Sequence, residues 1–231
     1  MKVLNLTLKK KDRTQPFSFS VRYMVNAGYV GRDREAVRRH IEELRKEGVP
    51  VPEETPTLYP VASYLITTGN VLEVVDESTS GEAEFVLLLE KGKMYVGVGS
   101  DHTDRNLEAI SIIKAKQICP NVISFVLWSY EEVKEVWDDL VLRSWVEKDG
   151  QRIPYQEAKL SSIMSAEDIL SFVRSRVKDE ELDGMVIYSG TVPSLGGEII
   201  SGDGFEVELH NPKANDSLWC KYKVKLLDYL D

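Results

Sequence analysis

The residues with the clearest chemistry lie in Ser80-Gly81-Glu82-Ala83-Glu84-Phe85-Val86-Leu87-Leu88-Leu89. Residues 84–89 form an apolar run of strand length after the first charge, with a β-branched Val and an aromatic. Residues two apart on a strand share a face, so Glu82 and Glu84 point the same way at its mouth. Two carboxylates that close repel, and withdrawing each from water costs several kcal/mol. A divalent cation relieves both problems. Asp101 follows in Gly99-Ser100-Asp101-His102-Thr103-Asp104-Arg105 and adds a third carboxylate. Three such ligands suit a hard ion, Mg2+ first, with Mn2+ and Ca2+ as alternatives. Taken alone, the same acids also fit a solvated strand edge.

Two further groupings carry chemistry. His40 and Glu43 are three residues apart in a helical pattern and occupy neighbouring positions of one face. A carboxylate there orients an imidazole and raises its basicity; an ordinary surface pair has the same spacing. The chain has only three histidines, His40, His102 and His210, so candidates for a histidine base are few. Late in the chain, Met185-Val186-Ile187-Tyr188 reads as a strand running into Ser189-Gly190-Thr191. Gly190 and Thr191 offer backbone N–H groups and a hydroxyl to an anion, or form a plain glycine turn.

The elements that must hold these residues are mostly strands. Leu4, Leu6 and Leu8 share one face of a first strand, and Phe17, Phe19 and Val21 alternate in a second, joined by a polar turn over 9–15. A helix is predicted over 33–47, with Val37, Ile41 and Leu44 as its apolar stripe and Gly48 as its stop. Pro50, Pro52, Pro56 and Pro60 then form an extended hinge. Residues 61–75 read as a hairpin broken at Gly69-Asn70, and 95–98 as a short strand delivering Asp101 to a loop. Residues 104–117 read as a helix with Leu107, Ile110 and Ile113 inward, with Lys114 and Lys116 suiting the dipole near its end. A strand follows over 121–127. Ser129 and Glu132 make a capping box for a helix carrying Val133, Val136, Trp137 and Leu140. Ser165 and Asp168 open another, with Ile169, Phe172, Val173 and Val177 inward. Phe205, Val207 and Leu209 alternate with acids. Cys220, Tyr222, Val224 and Leu226 alternate with Lys221, Lys223 and Lys225, as on a protected edge strand. The order predicts an α+β fold, mostly β, a mixed sandwich or roll with a few inserted helices. It lacks the regular βαβ alternation of a nucleotide-binding α/β protein and any phosphate-binding glycine motif.

Composition narrows the partners. With 231 residues, 42% hydrophobic and 29% charged, the chain is an ordinary globular protein. A net charge of −9 argues against nucleic acid, which selects basic patches. No apolar run reaches the roughly 18 residues of a membrane span. The N-terminus alternates like a strand and lacks a signal peptide's apolar core. Cytoplasmic location, with Cys119 and Cys220 reduced, is the expectation. Residues 1–60 are expected to form N-terminal strands, a lid helix and its hinge, and 61–231 the catalytic domain.

Taken in order, these pieces resemble the fumarylacetoacetate hydrolase superfamily, in an uncharacterised prokaryotic branch. Members carry Glu-x-Glu on a strand and then Asp-x-Thr-x-Arg, which Glu82, Glu84, Asp101, Thr103 and Arg105 match. A substrate-contacting lysine after the next helix corresponds to Lys116. A late Gly-Thr-x-Pro loop followed by Gly-Asp and a strand corresponds to Gly190-Thr191-Val192-Pro193 and Gly202-Asp203. His-x-x-Glu on an N-terminal lid helix corresponds to His40 and Glu43. The resemblance spans roughly residues 26–227. The chain departs from it in a short interval between Glu84 and Asp101. It also has Leu58-Tyr59-Pro60-Val61 where a Phe-x-Lys-Pro lysine is common, and an unusual loop over 193–197.

The resemblance implies a metal-dependent hydrolase of C–C bonds in a small 2-oxo acid or 1,3-dicarbonyl carboxylate, working through a metal-stabilised enolate. Glu82, Glu84 and Asp101 would hold the metal, and His40, oriented by Glu43, would activate water. Lys116 would steady an oxyanion, and Thr191 with Gly190 would hold a distal carboxylate. Arg32 and Arg105 would anchor carboxylates or serve as structural ion-pair partners. Alternatives on the same site are a decarboxylase, hydratase or isomerase, or a non-catalytic module binding a small carboxylate. A homodimer is the expected assembly.

Overall fold

A computed structural model of the chain describes residues 1–11, 13–46 and 51–230, apart from the side chains of His40, Glu43 and Leu44. The expected helix stop at Gly48 and the first hinge proline, Pro50, therefore lie outside the described residues. Strands β1 (Lys2–Lys10) and β2 (Arg13–Val21) form the expected antiparallel hairpin, with Leu4 opposite Phe19 and Leu6 opposite Phe17. Strand β3 (Tyr23–Gly28) leads to helix α1 (Arg34–Lys46), and β4 (Thr57–Val61) returns antiparallel to β3. Then come β5 (Ile66–Thr67), β6 (Val71–Val74), β7 (Thr79–Ser80), β8 (Ala83–Glu90), β9 (Lys93–Asp101) and β10 (Thr103–Asp104). Helices α2 (Arg105–Glu108) and α3 (Ile112–Ala115) precede β11 (Asn121–Ile123) and β12 (Val126–Ser129). Helix α4 (Tyr130–Val133) runs into a 3-10 stretch, Lys134–Asp139, before β13 (Val141–Lys148) and β14 (Gln151–Lys159). Helix α5 (Ala166–Arg176), β15 (Met185–Tyr188), β16 (Gly204–Asn211) and β17 (Asp216–Leu226) complete the described chain.

Two sheets carry the fold. The larger runs β2-β1-β12-β9-β8-β15-β3-β4, with β11 on β9 and β5 on β11. The smaller runs β14-β13-β16-β17-β6. Between them lies a core built from Phe85, Leu87 and Val98 of the first sheet and Leu142, Val207 and Tyr222 of the second. The opposite face of the large sheet makes its own core. There Leu4, Leu6 and Phe19 from one end meet Met24 and Val61 from the other, with Val86 and Tyr188 between them. The intervening strands link the two ends of this cluster, and the sheet that carries it curls, as natural twist favours.

Several expectations change. Residues 61–75 are not a hairpin: β5 pairs parallel with β11 in one sheet, and β6 pairs parallel with β17 in the other. Ile66 and Leu72 thus serve different cores, which alternation alone does not reveal. The helix over 104–117 is two short helices. The break between them resets the helical face, leaving Ile110 75% and Ile113 45% exposed. Residues 121–127 split into β11 and β12. Ser129 sits at the N-cap of α4 but makes no side-chain cap bond among the described residues. β17 is an interior strand, with β16 on one side and β6 on the other. Its lysines make cross-strand ion pairs, Lys221 to Glu206 and Lys225 to Glu73.

Candidate active site

Antiparallel register places the carboxylates. Ala83 lies opposite Ser100 and Glu84 opposite Gly99, so Glu82, Glu84 and Asp101 leave the sheet on one face. Asp101 is the last residue of β9 rather than a loop residue, and its N–H donates to the Glu82 carbonyl at 3.2 Å. The tight β8–β9 hairpin turns at Lys91-Gly92 and keeps the two strands in register. One oxygen from each carboxylate lies within 4.8 Å of the others. Asp101 and Glu84 are buried; Glu82 retains 19% side-chain exposure.

Charges and donors converge on this cluster. The Lys116 ammonium bonds Asp101 Oδ2 and lies 3.6 Å from Glu82 Oε2. Arg105 Nη1 donates to Glu82 Oε1 at 3.1 Å and to Glu108 Oε2 at 2.6 Å, while its Nε donates to Ser80 Oγ at 2.7 Å. The Gly190 N–H donates to Glu84 Oε2 at 2.8 Å. Gly190 has φ +83°, and a Cβ there would meet Val30 Cγ2 at 2.7 Å and the Ala27 carbonyl at 2.9 Å. Only glycine brings its N–H to Glu84 in that conformation.

The electrostatics are uneven. Burial, reinforced by Asp101, pushes Glu84 well above the usual carboxylate range. Burial raises Asp101 too, with Lys116 opposing. Burial also acts on Glu82, but Arg105 and Lys116 outweigh it and hold Glu82 low. Lys116 is buried, yet Asp101, Glu82 and Glu84 keep it firmly charged. Asp101 Oδ1 is buried without a hydrogen-bond partner among the described residues. Three carboxylates, one with an uncommitted buried oxygen, form a donor set that fits a hard divalent cation.

The sequence matches the family described as protein of unknown function (DUF2848) over residues 27–222. The chain belongs to that family. No curated protein matches it. Among solved structures, Cg1458 aligns with a TM-score of 0.61 at 16% identity, covering 98% of this chain and 89% of that one. A 2-keto-3-deoxyarabinonate dehydratase aligns at 0.64 and 15%, covering 92% and 76%. The 2-keto-3-deoxy-D-arabinonate dehydratase complexed with magnesium and 2,5-dioxopentanoate aligns at 0.63 and 14%, covering 93% and 77%. The fold of the DUF2848 chain is that of the fumarylacetoacetate hydrolase superfamily, as the resemblance implied.

In the DUF2848 chain, Glu82, Glu84, Asp101, Arg105, Lys116 and Gly190 meet at one place. Thr191 is adjacent, but its hydroxyl is already engaged, donating to the Ala83 carbonyl at 2.9 Å and accepting from Gln156 Nε2 at 2.8 Å. Arg32 makes a bidentate pair with Asp138, at 2.9 and 2.8 Å, and donates to the Ile163 carbonyl. The side chains of His40 and Glu43 lie outside the described residues.

Several supporting residues carried no motif. Gln156 of β14 accepts from the Ala83 N–H and the Ser144 hydroxyl and donates to Thr191 and the Val192 carbonyl. That buried amide joins β8 to the Gly190-Thr191 loop across the two sheets. The Tyr222 hydroxyl bridges His102 Nδ1 at 2.9 Å and Ser100 Oγ at 2.8 Å, and Ser100 Oγ accepts from the Glu82 N–H. Burial lowers the His102 pKa to about 3, so the ring is neutral. Asn26 and Asn121 are fully buried beside Asp101. Their sequence signal is slight: single amides within apolar strands.

Proposed function

We propose that this protein is a divalent-metal-dependent enzyme acting on a small 2-oxo acid or 1,3-dicarbonyl carboxylate, hydrolysing a C–C bond. The observation that carries the reading is the buried Glu82–Glu84–Asp101 cluster with the Lys116 ammonium held against it. Carboxylates gathered out of water with a buried cation beside them have no structural economy of their own. They suit a site built to handle charge.

Glu82, Glu84 and Asp101 would hold a divalent cation, Mg2+ first, which would supply Lewis acidity toward a substrate carbonyl and its carboxylate. The chain's own residues do the rest. Gly190 fixes one oxygen of Glu84, leaving the other for the cluster. Arg105 neutralises Glu82 and ties it to Glu108, holding the first ligand in place. Lys116 keeps its proton and offers a charged donor to negative charge developing on a substrate oxygen. The resemblance assigns His40 with Glu43 to take a proton from water, and α1 to exclude bulk solvent.

A second reading is elimination of water from a hydroxylated 2-oxo acid. It is supported by the likeness of fold to a 2-keto-3-deoxy-D-arabinonate dehydratase complexed with magnesium. Both routes build charge on the same substrate oxygens. They differ in their need for a water-activating base.

The test is thermal stability of metal-stripped protein with Mg2+, Mn2+ or Ca2+, with and without oxalate, followed by turnover of a 2-oxo acid panel. A cation-dependent rise that oxalate increases is expected. Glu84→Gln should fold normally and lose that rise and all turnover. His40→Ala should keep the cation response and lose hydrolysis; elimination unaffected by it would favour the second reading. Stabilisation without turnover of any panel member would point to a binding module. No cation response would overturn the assignment.

A further inference from the structure

Glu84 is set by two supports far apart in sequence: β8, which carries it, and the Gly190 N–H, which bonds one of its oxygens. β15 pairs with β8 only as far as Tyr188 opposite Val86, followed by the Ser189 N–H on the Phe85 carbonyl. Beyond that point the N–H and C=O of Ala83, the residue between Glu82 and Glu84, need partners from elsewhere. Side chains supply both. Gln156 Oε1 accepts from the Ala83 N–H at 3.1 Å, and Thr191 Oγ1 donates to the Ala83 carbonyl at 2.9 Å. Gln156 Nε2 donates to that same Thr191 oxygen at 2.8 Å, closing a ring, and also to the Val192 carbonyl. The Ser144 hydroxyl takes the second lone pair of Gln156 Oε1 at 2.8 Å. A primary amide has two donors and two acceptor lone pairs. All four are committed here, so the side chain has one orientation.

An irregularity of the small sheet delivers this amide. The β13–β14 ladder shifts register between Ser144 and Trp145: Ser144 pairs with Gln156, but Trp145 pairs with Pro154. The extra residue, Tyr155, lets two successive side chains of β14 turn inward, and both Tyr155 and Gln156 are buried. In a regular strand they would face opposite sides. Bulges that re-aim a side chain recur beside active sites. β14 is also the edge of its sheet, and its open side receives the loop after Thr191. The Leu195 N–H donates to the Tyr155 carbonyl at 2.8 Å, and Gln156 bridges to Ser194. Leu or Met would fill the same volume and leave the Ala83 N–H unsatisfied.

We propose that Gln156 is a positioning residue of the metal site: it fixes the spacing between β8 and the Gly190 loop, so that the Gly190 N–H holds one oxygen of Glu84 and leaves the other for the cation. The inference rests on the divalent-metal reading. It also reassigns Thr191. The resemblance gives that hydroxyl to substrate. In this chain its proton goes to the Ala83 carbonyl and its oxygen accepts from Gln156, so Thr191 serves the backbone of the metal ligands instead. Partners that orient ligands carry roughly tenfold to hundredfold in metal affinity. Gln156 acts through the loop, which puts its effect at the lower end of that range.

The experiment is a calorimetric Mg2+ titration of the metal-stripped full chain, beside its melting temperature without metal. Gln156→Leu and Thr191→Val should each weaken Mg2+ about tenfold. Thr191→Ser keeps the hydroxyl and should stay within about twofold of wild type. The double variant Gln156→Leu/Thr191→Val should be about as weak as either single variant, because either change already opens the ring. Ser165→Ala, far from this ring in the fold, should lower the melting temperature and leave Mg2+ affinity within about twofold, which separates positioning from loss of stability. Mg2+ binding by Gln156→Leu within about twofold of wild type overturns the inference, as do losses that multiply in the double variant. Thr191→Val that binds Mg2+ normally but weakens oxalate on the Mg2+-saturated protein would return the hydroxyl to substrate and also overturn it. Should Gln156→Leu fail to fold, Thr191→Val against Thr191→Ser decides from the other side of the ring. Absence of Mg2+ binding by wild type removes the metal-site reading and this inference with it. Wild-type binding with unchanged variants removes this inference alone.

Discussion

Lys116 occupies the position where two demands on the site conflict. Its ammonium compensates Asp101 and Glu82 in the metal-free protein, and the same ammonium opposes a cation bound by those oxygens. Lys116→Met should therefore lower the melting temperature of the stripped protein, because buried carboxylates lose their counter-charge. It should enlarge the Mg2+-induced rise, because a competing charge is gone, and it should lose turnover. A smaller Mg2+ response than wild type, in parallel thermal scans, would show that Lys116 does not compete with the cation. The triad itself was legible in the sequence, because a strand's two-residue period fixes the face of Glu82 and Glu84 whatever they pair with. Asn26 and Gln156 were not. Whether a buried amide is satisfied depends on strands distant in sequence, and no local pattern records that.

At the level of elements, two serines with the same sequence signature part company. Ser165 Oγ accepts from the Asp168 N–H at 3.1 Å and donates to the Asp168 carboxylate at 2.7 Å, closing the cap of α5. Ser129 stands at the head of α4 without a side-chain cap bond among the described residues. Ser165→Ala should cost about 1 kcal/mol of unfolding free energy. Ser129→Ala should stay within about 0.5 kcal/mol of wild type. Urea denaturation of the two variants measures both, and equal losses would refute the distinction. The difference arises from the helix that each serine opens. α5 has eleven residues, with Ile169 and Val173 buried. α4 has four before it tightens into a 3-10 stretch, and Trp137 and Tyr130 packing holds it instead. Alternation in the sequence marks the buried faces of β1, β2 and β16, where one core takes every second residue, while β8 is buried on both faces and its residues alternate between the two cores. Sheet membership was misread for β5, β6 and β17, since alternation states which side is buried and not which neighbour pairs.

For the whole molecule, the curl of the large sheet gives the site its character. One face packs on the smaller sheet, and the other closes on itself around Val86 and Tyr188, so the carboxylates sit at the margin of a dry core. That location makes cation binding and folding one coupled equilibrium. In the stripped protein the raised value of Glu84 comes first from burial, then from Asp101. Its proton therefore stabilises the fold fully below 4.5, the group's ordinary value, and that contribution is lost as pH rises through the raised folded value. A cation needs the carboxylate form, so its binding expels the proton and strengthens as pH rises over the same interval. Thermal scans between about pH 5 and pH 8 should show the Mg2+-induced shift growing with pH. Titration calorimetry in buffers of different ionisation enthalpy should show proton release, and Glu84→Gln should abolish both effects. A cation response independent of pH, with no proton released, would mean that Glu84 is already ionised in the stripped protein and that the buried triad is compensated by Lys116 and Arg105 alone.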